Sequence, residues 1–131
     1  MNFKVKIFTV LLFGLSFHVL FAHEVRPAYL QINQISENEY SVLWKVPRTV
    51  DKVLDIQPNF DKTFNLKETI TPRILDAFVL YTYPLKGSKS LTNTEFSINN
   101  LNTTDIDVLV DIRLLDEVHT LFYYNLQKKQ S

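Results

Sequence analysis

The stretch Ile106-Asp107-Val108-Leu109-Val110-Asp111-Ile112-Arg113-Leu114 decides the fold. Ile106, Val108, Val110, Ile112 and Leu114 fall on one side of an extended chain, and Asp107, Leu109, Asp111 and Arg113 on the other. This is the period of two that a strand with one buried face requires, and a helix would scatter the same side chains around its circumference. Working outward, Tyr40, Val42, Trp44 and Val46 alternate with Ser41, Leu43 and Lys45, and Pro47 stops that strand by withdrawing a backbone donor. A single tryptophan on the alternating face of such a strand reads as the anchor of a sandwich core.

The remaining segments continue the pattern. Ala28 to Ile35 sets Leu30 and Ile32 against Gln31 and Asn33, and Pro27 at its start assigns it to a sheet edge. Ser36-Glu37-Asn38-Glu39 is the turn into the next strand. Strands are expected at Val53 to Gln57 and at Ile74 to Tyr83, the second central because it is almost continuously apolar, and ended by Pro84. Asp61 to Thr71 and Lys86 to Ser90 read as loops. Phe96 and Ile98 alternate with Ser97 and Asn99, and Val118 to Leu126 returns across Asp116-Glu117 to form a hairpin with the 106–114 strand. Six or seven strands in about 100 residues predict an all-β fold, a small antiparallel immunoglobulin-like β-sandwich.

Composition bounds the function. In 131 residues, 14 basic and 14 acidic side chains cancel, and no cluster of lysine or arginine exceeds two neighbours, which argues against nucleic acid as a partner. With no cysteine there is no disulfide, thiolate nucleophile or cysteine-ligated metal. Ser36, Ser41 and Ser90 lack glycine-flanked nucleophile geometry, there is no glycine-rich phosphate loop, and the acids form no identifiable pair, so the expectation is a non-enzymatic protein with no small-molecule substrate identified.

Lys4 and Lys6 precede an apolar run from Ile7 to Ala22, the pattern of a secretory signal. The run is shorter than the ~20 residues a helix needs to span a bilayer, which favours cleavage after Ala22. Residues 1–22 are then a signal peptide, 23–127 the sandwich domain, and 128–131 a frayed end, and the protein resides in the periplasm or cell envelope. If retained, residues 7–22 instead anchor it in the inner membrane. Removing residues 1–22 deletes two lysines and no acid, which leaves the rest mildly acidic.

The string His23-Glu24-Val25-Arg26-Pro27-Ala28-Tyr29-Leu30, followed by Val42-Leu43-Trp44-Lys45-Val46-Pro47, resembles the exported N-terminal region of HupE/UreJ-like membrane proteins. Asn100-Leu101 and Asp105 to Ile112 are similar to that family's segment "GL…TDVLVRI", with Asn100 in place of the usual glycine and an Ile-Asp pair ahead of Val108. The resemblance spans His23 to about Leu126, with its motifs at the two ends, and does not cover Asp61 to Ser97. It implies an extracytoplasmic accessory domain beside a permease-like membrane partner, in a family associated with nickel or cobalt uptake. Family members often carry two cysteines in the middle segment, and both are missing here. Nothing after Ala22 contains 18 consecutive apolar residues, so transport by these residues alone is excluded.

Two site readings follow. After cleavage, the α-amine and imidazole of His23 form a chelating pair suited to Cu(II) or Ni(II), with His119 the only other histidine left in the chain. The plainer alternative makes His23 an exposed terminus and His119 an outward strand residue. Glu24, Arg26 and Tyr29, in the family-like string, are the candidate partner contacts. Asp105, Asp107 and Asp111 resemble a calcium loop by acid density, but the aliphatic residues between them demand a strand and send the acids to one solvated face. Tyr81-Thr82-Tyr83 and Phe122-Tyr123-Tyr124 are expected to put aromatics on the face opposite the core, as a contact surface.

Overall fold

The computed structural model describes residues 2–4, 26–49, 51–66, 70–116 and 118–123. Among them are nine strands: β1 (Ala28–Ser36), β2 (Glu39–Pro47), β3 (Gln57–Phe60), β4 (Phe64–Asn65), β5 (Arg73–Ile74), β6 (Phe78–Gly87), β7 (Phe96–Asn99), β8 (Val108–Arg113) and β9 (Val118–Tyr123). Seven make one sheet in the order β4-β6-β2-β1-β8-β9, with β5 also paired to β6, and β3 with β7 makes a second. The fold is all-β and sandwich-like, with layers of unequal size. No helix among the described residues is long and apolar enough to cross a membrane.

Alternation in sequence becomes burial in three dimensions. Ala28, Leu30 and Ile32 of β1, Tyr40, Val42, Trp44 and Val46 of β2, and Val108 and Val110 of β8 are each at most 1% exposed. Directly opposed residues share a face, so the pairs Leu30 with Trp44 and Leu30 with Val110 lay one continuous apolar surface across three strands. The second layer covers it with Phe60, Phe96 and Ile98, together with buried Ile56, Leu91 and Ile106. Phe64 joins the layers, its ring edge-on to Tyr40 at 6.0 Å and tilted against Phe60 at 6.5 Å.

Two polar bonds fix how the layers meet. Trp44 Nε1 donates to the carbonyl of Ile56 at 3.1 Å, and the backbone N–H of Leu91 donates to Tyr40 Oη at 2.8 Å. Both satisfy groups that burial would otherwise strand. The expectation that Trp44 anchors the core holds, as do the β1–β2 hairpin and the β8–β9 hairpin.

Several expectations are corrected. β1 is interior, flanked by β2 and β8, because Pro27 precedes the first paired residue and so removes no ladder bond. Its pairing with β8 is parallel, against an otherwise antiparallel sheet. The strand expected at Val53 to Gln57 is displaced to β3, and Val53 makes only an isolated bridge to Arg48. β6 runs through Pro84 to Gly87: Pro84 lies between the pairing of β6 with β5, which reaches Leu80, and with β4, which begins at Lys86, where no ladder bond among the described residues needs its missing N–H. The 61–71 loop contains β4. Tyr81 and Tyr83 oppose Trp44 and Val42, so they line the core face, and exposed Thr82 points outward.

Candidate functional site

The face of the large sheet turned away from the core carries the organised chemistry. The alternation that buries Leu30 and Val110 sends Tyr29, Gln31, Leu109, Asp111 and Arg113 to this side, and the parallel register sets Tyr29 beside Leu109 and Gln31 beside Asp111. Asp111 is only 8% exposed. Its Oδ2 accepts from Tyr29 Oη at 3.2 Å, from Gln31 Nε2 at 3.4 Å and from Arg113 Nε at 3.0 Å, and Arg113 Nη2 closes the ion pair at 2.9 Å. The expectation of a solvated acid is therefore corrected for Asp111: it is covered, and bonded to three side chains from two strands.

The electrostatics follow from that geometry. Burial pushes the Asp111 carboxyl up, but the bonds from Arg113 and Gln31, the Arg113 charge and the Tyr29 phenol outweigh it, so the group is held below the ordinary aspartate value. Burial first, and then the adjacent carboxylate, push the Tyr29 phenol above its ordinary value. At neutral pH the cluster is a fixed carboxylate clamped by a neutral phenol and a guanidinium.

A second group lies further along the same face. Lys45 Nζ sits 3.9 Å from the centroid of the Phe78 ring, and the Arg26 guanidinium 5.7 Å from it. Leu43, Lys45, Leu80 and Leu109 are half-buried, with Tyr29 between Lys45 and Leu109 in register. Asn33 Oδ1 on this face is buried without a hydrogen bond among the described residues. The result is a pleated surface of aliphatic and aromatic patches bracketed by fixed charges, with one acceptor to spare.

Of the candidate contact residues, Arg26 and Tyr29 both belong to this face. Glu24 and His23 lie outside the described residues, as does the whole apolar run of residues 7–22. The backbone of His119 pairs with Ile112, four residues along β8 from the Val108 that pairs with Ala28, or about 13 Å. Its side chain and those of Phe122, Tyr123 and Tyr124 also lie outside the described residues. No group of three or more histidine, aspartate or glutamate side chains able to hold a metal ion occurs among the described residues. Sequence reading did not single out Gln31, Lys45, Phe78 or Arg113. The one available signal was Arg113 two residues after Asp111, hence on the same strand face.

Asn100 has φ of 58°, the one positive φ among the described residues, and its Nδ2 donates to the carbonyl of Asp55 at 3.0 Å. Asparagine tolerates the left-handed conformation better than other side chains. No family model, curated protein or solved structure matches the chain.

Proposed function

We propose that this chain is a non-enzymatic interaction domain that works outside the cytoplasm, with the outward face of its large sheet as the surface that meets a membrane-protein partner. The observation that carries this reading is the Asp111 cluster. A carboxylate bonded to three side chains on the face opposite the core contributes little to core packing, but it holds Tyr29 and Arg113 in one orientation, and preorganised aromatic and arginine side chains are what protein interfaces use. The leader-like residues 1–22, the HupE/UreJ-like string ending at Leu30 and the position of Asn100 support an extracytoplasmic accessory role.

The test has two arms. The full chain, expressed in an exporting bacterial host, is fractionated, and a photoreactive amino acid is placed at Leu43, Lys45 or Leu109 on the outward face and, separately, at Asn59 of β3. The expected result is recovery in the envelope fraction, with cross-links to one membrane protein from the first three positions and none from Asn59. Retention in the cytoplasm overturns the location, and cross-links that do not distinguish the two faces overturn the surface.

A further inference from the structure

The end of the sandwich where β1 begins and β2 ends contains a cleft of about 590 Å³. Arg26, Arg48, Lys52 and Asp76 surround it, and Leu54 and Ile106 contribute apolar lining. Its volume falls within the range of small-molecule sites, and three cations face one carboxylate. The backbone that carries two of the cations is fixed. The Arg48 N–H donates to the carbonyl of Ala77 at 2.9 Å, Arg48 bridges Val53, and the Thr49 N–H donates to the carbonyl of Lys52 at 3.0 Å, which brings Arg48 and Lys52 to one rim.

The cations are not spent on carboxylates. The ion pairs among the described residues are Lys86 with Glu39 and Arg113 with Asp111, and neither touches the cleft. Arg48 Nε is buried with no hydrogen-bond partner among the described residues. A buried guanidinium N–H left unpaired is costly, and such groups are rare in folded proteins unless water, an ion or a ligand supplies the acceptor. Arginine presents a planar fork of donors that matches the oxygens of a phosphate, and lysine adds a point charge.

We propose that this cleft binds a phosphate group, with Arg48 as the forked donor and Arg26 and Lys52 as flanking charges. The inference goes beyond the interaction reading, since its forked donor Arg48 and Lys52 lie off the outward face, with Arg26 at the margin of both, and it stands whether or not the outward face meets a partner. Phosphate is available from two sources, a soluble phosphate ester and a lipid headgroup. Arg26 lies only four positions after Ala22, the end of the apolar run, a reach of about 14 Å when fully extended, so a membrane surface is within range if that run is retained.

The experiment titrates the exported chain with inorganic phosphate, following backbone amide resonances by NMR, with chloride at matched ionic strength as the control. The expected result is saturable shifts at Thr49 and Ala77 with phosphate alone, weakened about tenfold or more in Arg48→Gln and in Lys52→Gln. Arg48→Gln is expected to melt no lower than the parent, because it removes the buried Nε–H that has no acceptor among the described residues. Phosphate is expected to raise the melting temperature of the parent and leave that of Arg48→Gln unchanged. Co-sedimentation with phosphatidylglycerol vesicles against phosphatidylcholine vesicles then separates the sources. Binding that free phosphate displaces assigns the headgroup, and phosphate shifts without selective vesicle binding assign a soluble ester. No saturable shift, or shifts unchanged in Arg48→Gln, overturns the proposal.

Discussion

Replacing Asp111 with asparagine tests the outward-face cluster directly. Asp111 is 8% exposed, and its carboxylate accepts from Tyr29, Gln31 and Arg113 through one oxygen. The Arg113 side chain is 55% exposed, so its ion pair contributes only about 0–1 kcal/mol. The Gln31 bond, at 3.4 Å, is close to the geometric limit and adds little. The Tyr29 bond to a charged acceptor, shielded by the strands, carries most of the remainder, so Asp111→Asn is expected to cost about 1–2 kcal/mol in total. For a domain of this size that is a fall in melting temperature of ~4–16 °C. Because the folded-state carboxyl is held below its ordinary value, its contribution is fully present at neutral pH, above the unfolded-state value, and is lost as pH falls through the ordinary aspartate range toward the lower folded value. Thermal melts followed by circular dichroism at pH 7 and pH 3 measure both effects. The gap between the parent and Asp111→Asn is full at pH 7 and smaller at pH 3, and equal melting at pH 7, or a gap that persists undiminished in acid, refutes the reasoning.

Two buried tyrosines make a matched pair. Tyr40→Phe strands the Leu91 N–H and is expected to cost about 1–3 kcal/mol, whereas Tyr83, whose phenol is pushed up by burial alone, is expected to accept phenylalanine with no loss; a urea midpoint for Tyr40→Phe no lower than that of Tyr83→Phe contradicts this. Gly87→Ala drives a methyl group into the Phe64 ring, whose Cδ1 lies 2.5 Å from the new carbon, and is expected to cost about 1–3 kcal/mol in the parent but little in a Phe64→Ala background. A double-mutant cycle that is additive removes that explanation. At Asn100, glycine is expected to be neutral to within about 0.5 kcal/mol, while valine, forced to φ of 58°, is expected to lose about 1–2 kcal/mol. Denaturant melts that place glycine and valine together exclude backbone conformation as the reason.

What the sequence made legible was local. Alternation in Tyr40 to Val46 and Ile106 to Leu114 identifies the core-facing residues of β2 and β8, because the pleat sorts side chains regardless of which strands meet. It does not reveal neighbours. The interior place of β1 depends on Val108 to Arg113, some eighty residues away, and Pro27 pointed to an edge only because that partner was out of view. Pro84 misled in the same way, since a proline is tolerated wherever its edge of the strand is unpaired. At the candidate site, Arg26 and Tyr29 were named from their place in the family-like string, but Asp111 became a hub only through a parallel register that no local pattern encodes. The basic cleft was still less legible, because Arg48 and Lys52 are unremarkable in sequence and meet Arg26 only where β1 begins and β2 ends.

The parallel pairing of β1 with β8 also sets an order of assembly. The first hairpin, β1 with β2, can form from local contacts, yet it leaves Ala28, Leu30 and Ile32 with an open flank until β8 arrives. Closing so long a loop is slow compared with forming a hairpin. A chain delivered amino end first, whether from a ribosome or through a narrow channel, therefore cannot complete its sheet until β8 and β9 have emerged. The same pairing that centres the finished sheet keeps the nascent polypeptide threadable.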